Sequence, residues 1–120
     1  MSVFLFNDGR ATNLARKITG NTVVDLVDAT TGQVNVPWFR VSENNGSTPN
    51  LTVELYDVAN TTSYYLGDAS GSTWVAKAVT AKQSVAFTDG YVVPLGWKLR
   101  ITSSDAAGKF DVTGMKIGRS

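Results

Sequence analysis

The stretch Trp97-Lys98-Leu99-Arg100-Ile101-Thr102 places an apolar side chain at every second position, with Lys98, Arg100 and Thr102 between. A period of two puts Trp97, Leu99 and Ile101 on one face of an extended strand and the polar residues on the other. Leu51-Thr52-Val53-Glu54-Leu55-Tyr56 repeats the pattern, with Leu51, Val53 and Leu55 inward. No window of about 11 residues carries a helical apolar stripe with caps, so helix content is expected to be close to nil. The nearest exception, Thr12 to Ile18, is short, runs into Thr19-Gly20 and would make a single helical turn. The alternation therefore commits the chain to sheets with one dry face, and two such faces must cover each other.

Other segments follow less cleanly. Val34, Val36 and Trp38 alternate with Gln33, Asn35 and Pro37. Proline donates no ladder bond, so this strand is expected either to lie at an edge or to break before Phe39 and Val41. Further strands are expected near Val3 to Phe6, Asn13 to Ile18, Thr22 to Val27, Ser63 to Leu66, Thr73 to Val79, Ser84 to Thr88 and Lys109 to Ile117. Between them, Asp28-Ala29-Thr30-Thr31-Gly32, Asp68-Ala69-Ser70-Gly71 and Asp105-Ala106-Ala107-Gly108 each read as a hairpin loop. The aspartate can accept amide protons two residues on, and the glycine supplies a left-handed residue. Asp89-Gly90 reads as a fourth turn, and Asn44-Asn45-Gly46-Ser47 with Pro49 as a longer polar loop. Short strands and frequent turns give an all-β fold, an antiparallel β-sandwich or jelly roll with hairpin connections and little or no helix. Residues 1–120 suffice for a single domain, with 1–10 an amino-terminal arm or edge strand. The residues expected to be least replaceable in its core are Trp38, Leu55, Phe87, Trp97 and Leu99.

Chemistry is narrowed by what the chain omits. With no histidine and no cysteine it has no imidazole base, thiolate nucleophile, disulfide or soft-metal site. Without histidine, a serine hydrolase would need a Ser-Lys arrangement, and Ser84 after Lys82 reads more simply as a strand entry. Glu43 and Glu54 are the two glutamates, one read on a loop and one on a strand face, both as solvated charges rather than a glycosidase pair. The Asp-rich turns lack the two or three neighbouring carboxylates that calcium needs, and Asp57 and Asp89 could join such a site only if the fold gathered the loops. The expectation is a non-enzyme with no catalytic residue, no cofactor and no metal.

The 11 basic side chains are scattered and balanced by 10 acidic ones, which argues against nucleic acid as a partner. Apolar runs are too short for a membrane span, and Met1 to Phe6 lacks the layout of a secretory signal, so synthesis in a cytoplasm is expected. What remains is surface. Of Tyr64 and Tyr65, adjacent on any strand, one must point outward. Trp74 is a further exposed-ring candidate, while most large rings of a small sandwich go to its core. Val3-Phe4-Leu5-Phe6 is apolar on both parities, so Phe4 and Phe6 lie either in a core or against another subunit. The candidate interface residues are thus Phe4, Phe6, Tyr64, Tyr65 and Trp74.

The block Tyr64-Tyr65-Leu66-Gly67-Asp68 through Gly71-Ser72-Thr73-Trp74, then Gly90 to Gly108, and finally Asp111-Val112-Thr113-Gly114, resembles the small β-sandwich virion proteins of tailed bacteriophages. The likeness lies in the Pro94-Leu95 pair, the Gly96-Trp97-x-Leu99-x-Ile101 strand, the Ser103-Ser104-Asp105 turn and the final Asp111-Val112 strand, roughly the carboxyl-terminal half. It implies a role in particle assembly in the host cytoplasm: a head decoration or cement subunit that binds the major capsid protein or other virion subunits, self-associating as a homo-oligomer, a trimer in the first instance. A minor tail or connector component differs only in location. A carbohydrate- or receptor-binding module, carried by Tyr64, Tyr65 or Trp74, is the alternative from another class.

Overall fold

The computed structural model describes residues 11–46, 50–66 and 83–118, together with the backbone of short strands at 69–70, 73–74 and 77–78. The strand expected over Val3 to Phe6 lies outside these residues, as do Phe4 and Phe6 themselves. Among the described residues there is no helix, and the one-turn candidate at Thr12 to Ile18 is part of a strand.

Two antiparallel sheets face each other. In the first, β1 (Ala11–Thr19) pairs with β12 (Lys109–Gly118), which pairs with β3 (Val34–Glu43). The far side of β3 is covered by β9 (Ser84–Phe87) and then β10 (Tyr91–Val93). In the second, β2 (Val24–Asp28) pairs with β11 (Trp97–Ser103), which pairs with β4 (Asn50–Asp57). The far side of β4 carries β5 (Thr62–Leu66) and the short β8 (Lys77–Ala78), while β6 (Ala69–Ser70) and β7 (Thr73–Trp74) form a separate ribbon. The pairings nest: β4 with β5, β3 with β9 and β10, β2 with β11, β1 with β12. One long antiparallel ribbon, rolled so that alternate pairs fall in opposite sheets, is the jelly-roll arrangement.

The rolling changes the meaning of the turns. The loops at 28–32 and 105–108 do not join neighbouring strands of one sheet; each carries the chain from the second sheet to the first. The aspartate role survives at 105, where Oδ1 accepts the Ala107 amide at 2.9 Å. The glycines do not serve as read, because neither Gly32 nor Gly108 has a positive φ. Gly108 is small for another reason: a Cβ there would sit 2.7 Å from the Phe110 ring. Asp89-Gly90 does not reverse the chain either. With β9 and β10 both lying along β3, it is a kink in a continuing edge, and here Gly90 does take φ +76°.

Pro37 is neither at an edge nor at a break. It falls where the neighbour of β3 changes from β9 to β10, so no ladder bond is asked of it. On the other side, β3 advances three positions, from Asn35 to Trp38, while β12 advances two, from Met115 to Ile117. That extra residue is a β-bulge, and it reverses the facing of everything beyond it. Val34 and Val36 point inward before it and Phe39 and Val41 after it, leaving Trp38 outside at 38% exposure. The expectation of Trp38 as a core residue is therefore corrected. A second bulge in β2, opposite Leu99 and Arg100, lets the consecutive Leu26 and Val27 both be buried.

Between the sheets, Leu14, Val36, Phe39, Val41, Phe110 and Val112 from the first share one core with Leu26, Val27, Leu51, Val53, Leu99 and Ile101 from the second. Phe39 stacks on Phe87 with centroids 4.6 Å apart. Trp97 and Leu55 are partly buried against this core, with the inward parity read for them.

Candidate docking surfaces

Tyr64 and Tyr65 lie on β5, an edge strand, and both are half-exposed, at 52% and 50%. Their neighbours differ because their faces differ. Tyr64 is opposite inward-facing Leu55, and its ring stacks on Trp97 with centroids 5.3 Å apart and planes within 11°. Tyr65 is opposite Glu54, on the outer face. Trp74 belongs to β7, and its side chain lies outside the described residues.

The outer face of the second sheet is an electrostatic lattice. Arg100 bonds Glu54 through Nε, at 2.9 Å from Oε1, and through its terminal nitrogen as well. Ser63 donates to the same oxygen at 3.2 Å, and the guanidinium carbon lies 3.7 Å above the centre of the Tyr56 ring. Next along β11, the Lys98 ammonium is 3.0 Å from Asp25 and 3.9 Å from Asp28. The hydrogen bond that Lys98 donates to Asp25 holds the Lys98 pKa above its ordinary value. Charge here is largely paired within the face, so it does not stand as a free electrostatic footprint.

Both glutamates differ from their expected role as solvated charges. Glu43 is 3% exposed, with its carboxylate accepting the backbone amides of Asn45 at 2.8 Å and Gly46 at 2.9 Å. Glu54 is 7% exposed beneath its arginine. Asp57 is likewise engaged within the β4–β5 turn, accepting from the Asn60 side-chain amide at 2.8 Å. Strand parity placed Glu54 outward correctly; it could not reveal that long neighbours close over it.

The outer face of the first sheet is different in kind. Trp38 is directly across from Met115, which is across from Asn13. One row further, Val92, Asn35, Ile117 and Ala11 lie side by side. Residues opposite one another in a sheet share a face, so Trp38, Met115, Ile117 and Val92 form one uncharged outward patch. Trp38 and Val92 are 38% and 50% exposed. The next row along the face carries exposed Arg40, across from Thr113, and beyond it Lys17 pairs with Asp111 at 2.9 Å. This patch was missed from sequence. Its signal was the proline inside an alternating run, which marks the place where parity fails.

At one end of the second sheet, a cleft of about 530 Å³ opens between the β4–β5 turn and the turn before β11. Its walls include exposed Val58 and Leu95, with Asp28, Thr30 and Lys98 at the side.

No protein-family model and no curated protein sequence matches the chain. Solved structures do share its fold. A capsid structure of the Helicobacter pylori bacteriophage KHP30 superposes with a TM-score of 0.57 and 12% identity, over 92% of this chain and 89% of that one. The Drosophila NLP-core, described for pentamer formation and histone binding, gives 0.55 and 8%, over 92% of this chain and 100% of that one. The nucleoplasmin-like N-terminal domain of Drosophila FKBP39 gives 0.54 and 11%, over 92% of each. At these identities the likeness is one of fold.

Proposed function

We propose that this chain is a non-enzymatic structural subunit of a bacteriophage particle, of the head decoration or cement type, which binds the major capsid protein through the Trp38 patch. The observation that carries this reading is a tryptophan-centred apolar patch on the outer face of the first sheet, where the outer face of the second sheet carries paired charges instead. Tryptophan and methionine are enriched where proteins meet, and an apolar sheet face left open is a liability until a partner covers it. Support of another kind comes from the shared fold of the phage KHP30 capsid structure across nearly the whole chain. The pentameric NLP-core uses the same fold in an oligomer, in keeping with a symmetric assembly of several copies. Histone binding is less suited to this chain, whose 11 basic and 10 acidic residues leave no acidic excess for a basic partner.

The test is co-sedimentation of the purified chain with phage heads lacking it. Binding is expected for the native chain and its loss for Trp38→Glu, with an unchanged fold by circular dichroism. Native chain that stays in the supernatant, or Trp38→Glu that binds equally, would overturn the reading. Cryo-electron microscopy of the particle separates a head position from a tail or connector one.

A carbohydrate- or receptor-binding role is the second reading, and the stacked Tyr64–Trp97 pair favours it. The pair holds a flat ring half-exposed at the sheet edge, a surface on which a sugar can stack. A glycan array in which Tyr64→Ala loses every signal of the native chain would favour this reading over the first.

A further inference from the structure

We infer that the open edge of β1 is the docking site for residues 2–6 of the same chain, which add to the first sheet as a further antiparallel strand. Among the described residues β1 is the outermost strand of that sheet, and its nine residues run against β12 without a register shift. A long edge free of bulge and proline is a template for strand addition. Two other edges are blunted: β2 has five residues and a bulge, and the β9–β10 edge is kinked at Gly90. On β1 the charged residues are Arg16 and Lys17, in the half that ends at Thr19, and Ala11 to Ala15 carries none.

The phase of the ladder decides which backbone groups face out from this edge. The Gly20 amide donates to the Gly108 carbonyl at 2.9 Å, one row beyond Thr19 and Lys109, while the Lys109 carbonyl accepts the Asn44 amide at 2.8 Å on the β3 side. Bonding in an antiparallel ladder alternates, so the even-numbered residues of β1 bond β12. Ala11, Asn13, Ala15, Lys17 and Thr19 then turn their amides and carbonyls to the open edge. The chain before Ala11 matches this phase. Asn7-Asp8-Gly9-Arg10 has the chemistry of a four-residue hairpin loop, which sets Phe6 opposite Ala11 and Phe4 opposite Asn13 as bonded pairs. Both parities of Val3-Phe4-Leu5-Phe6 are thereby accounted for. Val3 falls beside buried Leu14 and Leu5 beside Thr12, on the inner face. On the outer face Phe4 joins the row of Asn13, Met115 and Trp38, and Phe6 joins the row of Ala11, Ile117 and Val92. The added strand is a property of the isolated chain; only its consequence, two phenylalanines joined to the surface offered to a capsid protein, rests on the proposed function.

The experiment is amide hydrogen exchange on the full chain, read residue by residue by NMR. Ala11 and Asn13 are expected to exchange at least about tenfold more slowly than Lys17 and Thr19, which the added strand does not reach. Phe4→Pro removes a ladder donor and is expected to erase that difference, while Leu14 and Arg16 keep the protection they draw from β12. Because the chain has no cysteine, an introduced pair gives a second measurement. In a glutathione redox buffer, Leu5→Cys with Thr12→Cys, directly opposed, is expected to close within the monomer about tenfold more readily without urea than with it. Phe6→Cys with Thr12→Cys, on opposite faces, is expected to gain nothing. Equal exchange at all five edge positions, protection undiminished in Phe4→Pro, disulfides formed between two chains, or equal closure of the two pairs would each overturn the proposal. Both measurements use the isolated chain, so a failure of capsid binding is told apart from a failure of this strand.

Discussion

Lys98 and Tyr91 show how single residues couple stability to pH in a chain without histidine. The Asp25 hydrogen bond raises the Lys98 pKa from 10.5, and burial raises that of Tyr91 from 10.0. For Lys98 the folded state favours the charged form; for Tyr91 it disfavours the phenolate. Both shifts are upward, so in each case the native state holds its proton more tightly than the unfolded chain does. The stability each contributes is complete below the unfolded value and is lost as pH rises through the folded one. Urea midpoints are therefore expected to hold near neutrality and fall from about pH 10 upward. Tyr91→Phe and Lys98→Met should each flatten that alkaline decline, and a decline unchanged in both would refute the assignment. The effect at Lys98 is modest, since its side chain is 26% exposed and the pair is open to screening. Trp38 makes a different point at the same scale. The sequence supplied an aromatic at a position whose parity agreed with Val34 and Val36, and a single extra residue in the strand turned it outward.

Among the strands, the central β12 depends on a residue that contributes no side chain. Gly114 is paired with Phe39 on one side and Leu14 on the other. A Cβ there would stand 2.6 Å from the Trp38 carbonyl oxygen and 2.8 Å from the Phe39 Cα. Backbone atoms cannot step aside as a flexible side chain would, so the strand pair itself must shift. Gly114→Ala is expected to cost about 2 to 3 kcal/mol, in the range of other overpacked sites. A chemical denaturation curve within about 0.5 kcal/mol of native would show that the strands relax freely. Neither this need nor the bulge at Pro37 is visible to periodicity. A glycine in a strand signals a close approach without saying to what, and a proline signals irregularity without saying which way the chain resumes. The strands themselves were legible, from Asn13 to Ile18, Leu51 to Tyr56, Trp97 to Thr102 and Lys109 to Ile117, because one buried face imposes the alternation.

For the molecule as a whole, the two sheets share one core, and the contrast between a core leucine and the surface Trp38 measures how stability and docking are separated. Leu99, fully buried, is expected to cost about 2 to 5 kcal/mol on replacement by alanine, against a total of about 5 to 15 for a domain. Trp38→Ser is expected to cost less than about 1 kcal/mol, because its ring is outside the core. Comparable melting losses in the two variants would place Trp38 in the core after all, and remove the basis for assigning it to docking. From sequence alone, the chain was fixed as two-faced strands joined by polar turns and bare of imidazole and thiol, since these depend on local period and residue type. Which strands pair, whether a turn returns to the same sheet or crosses to the other, and which rings stay outside depend on contacts between residues far apart in the chain. Only the rolled ribbon brings β1 against β12, closes Arg100 over Glu54, and sets Trp38, Met115, Ile117 and Val92 on one face.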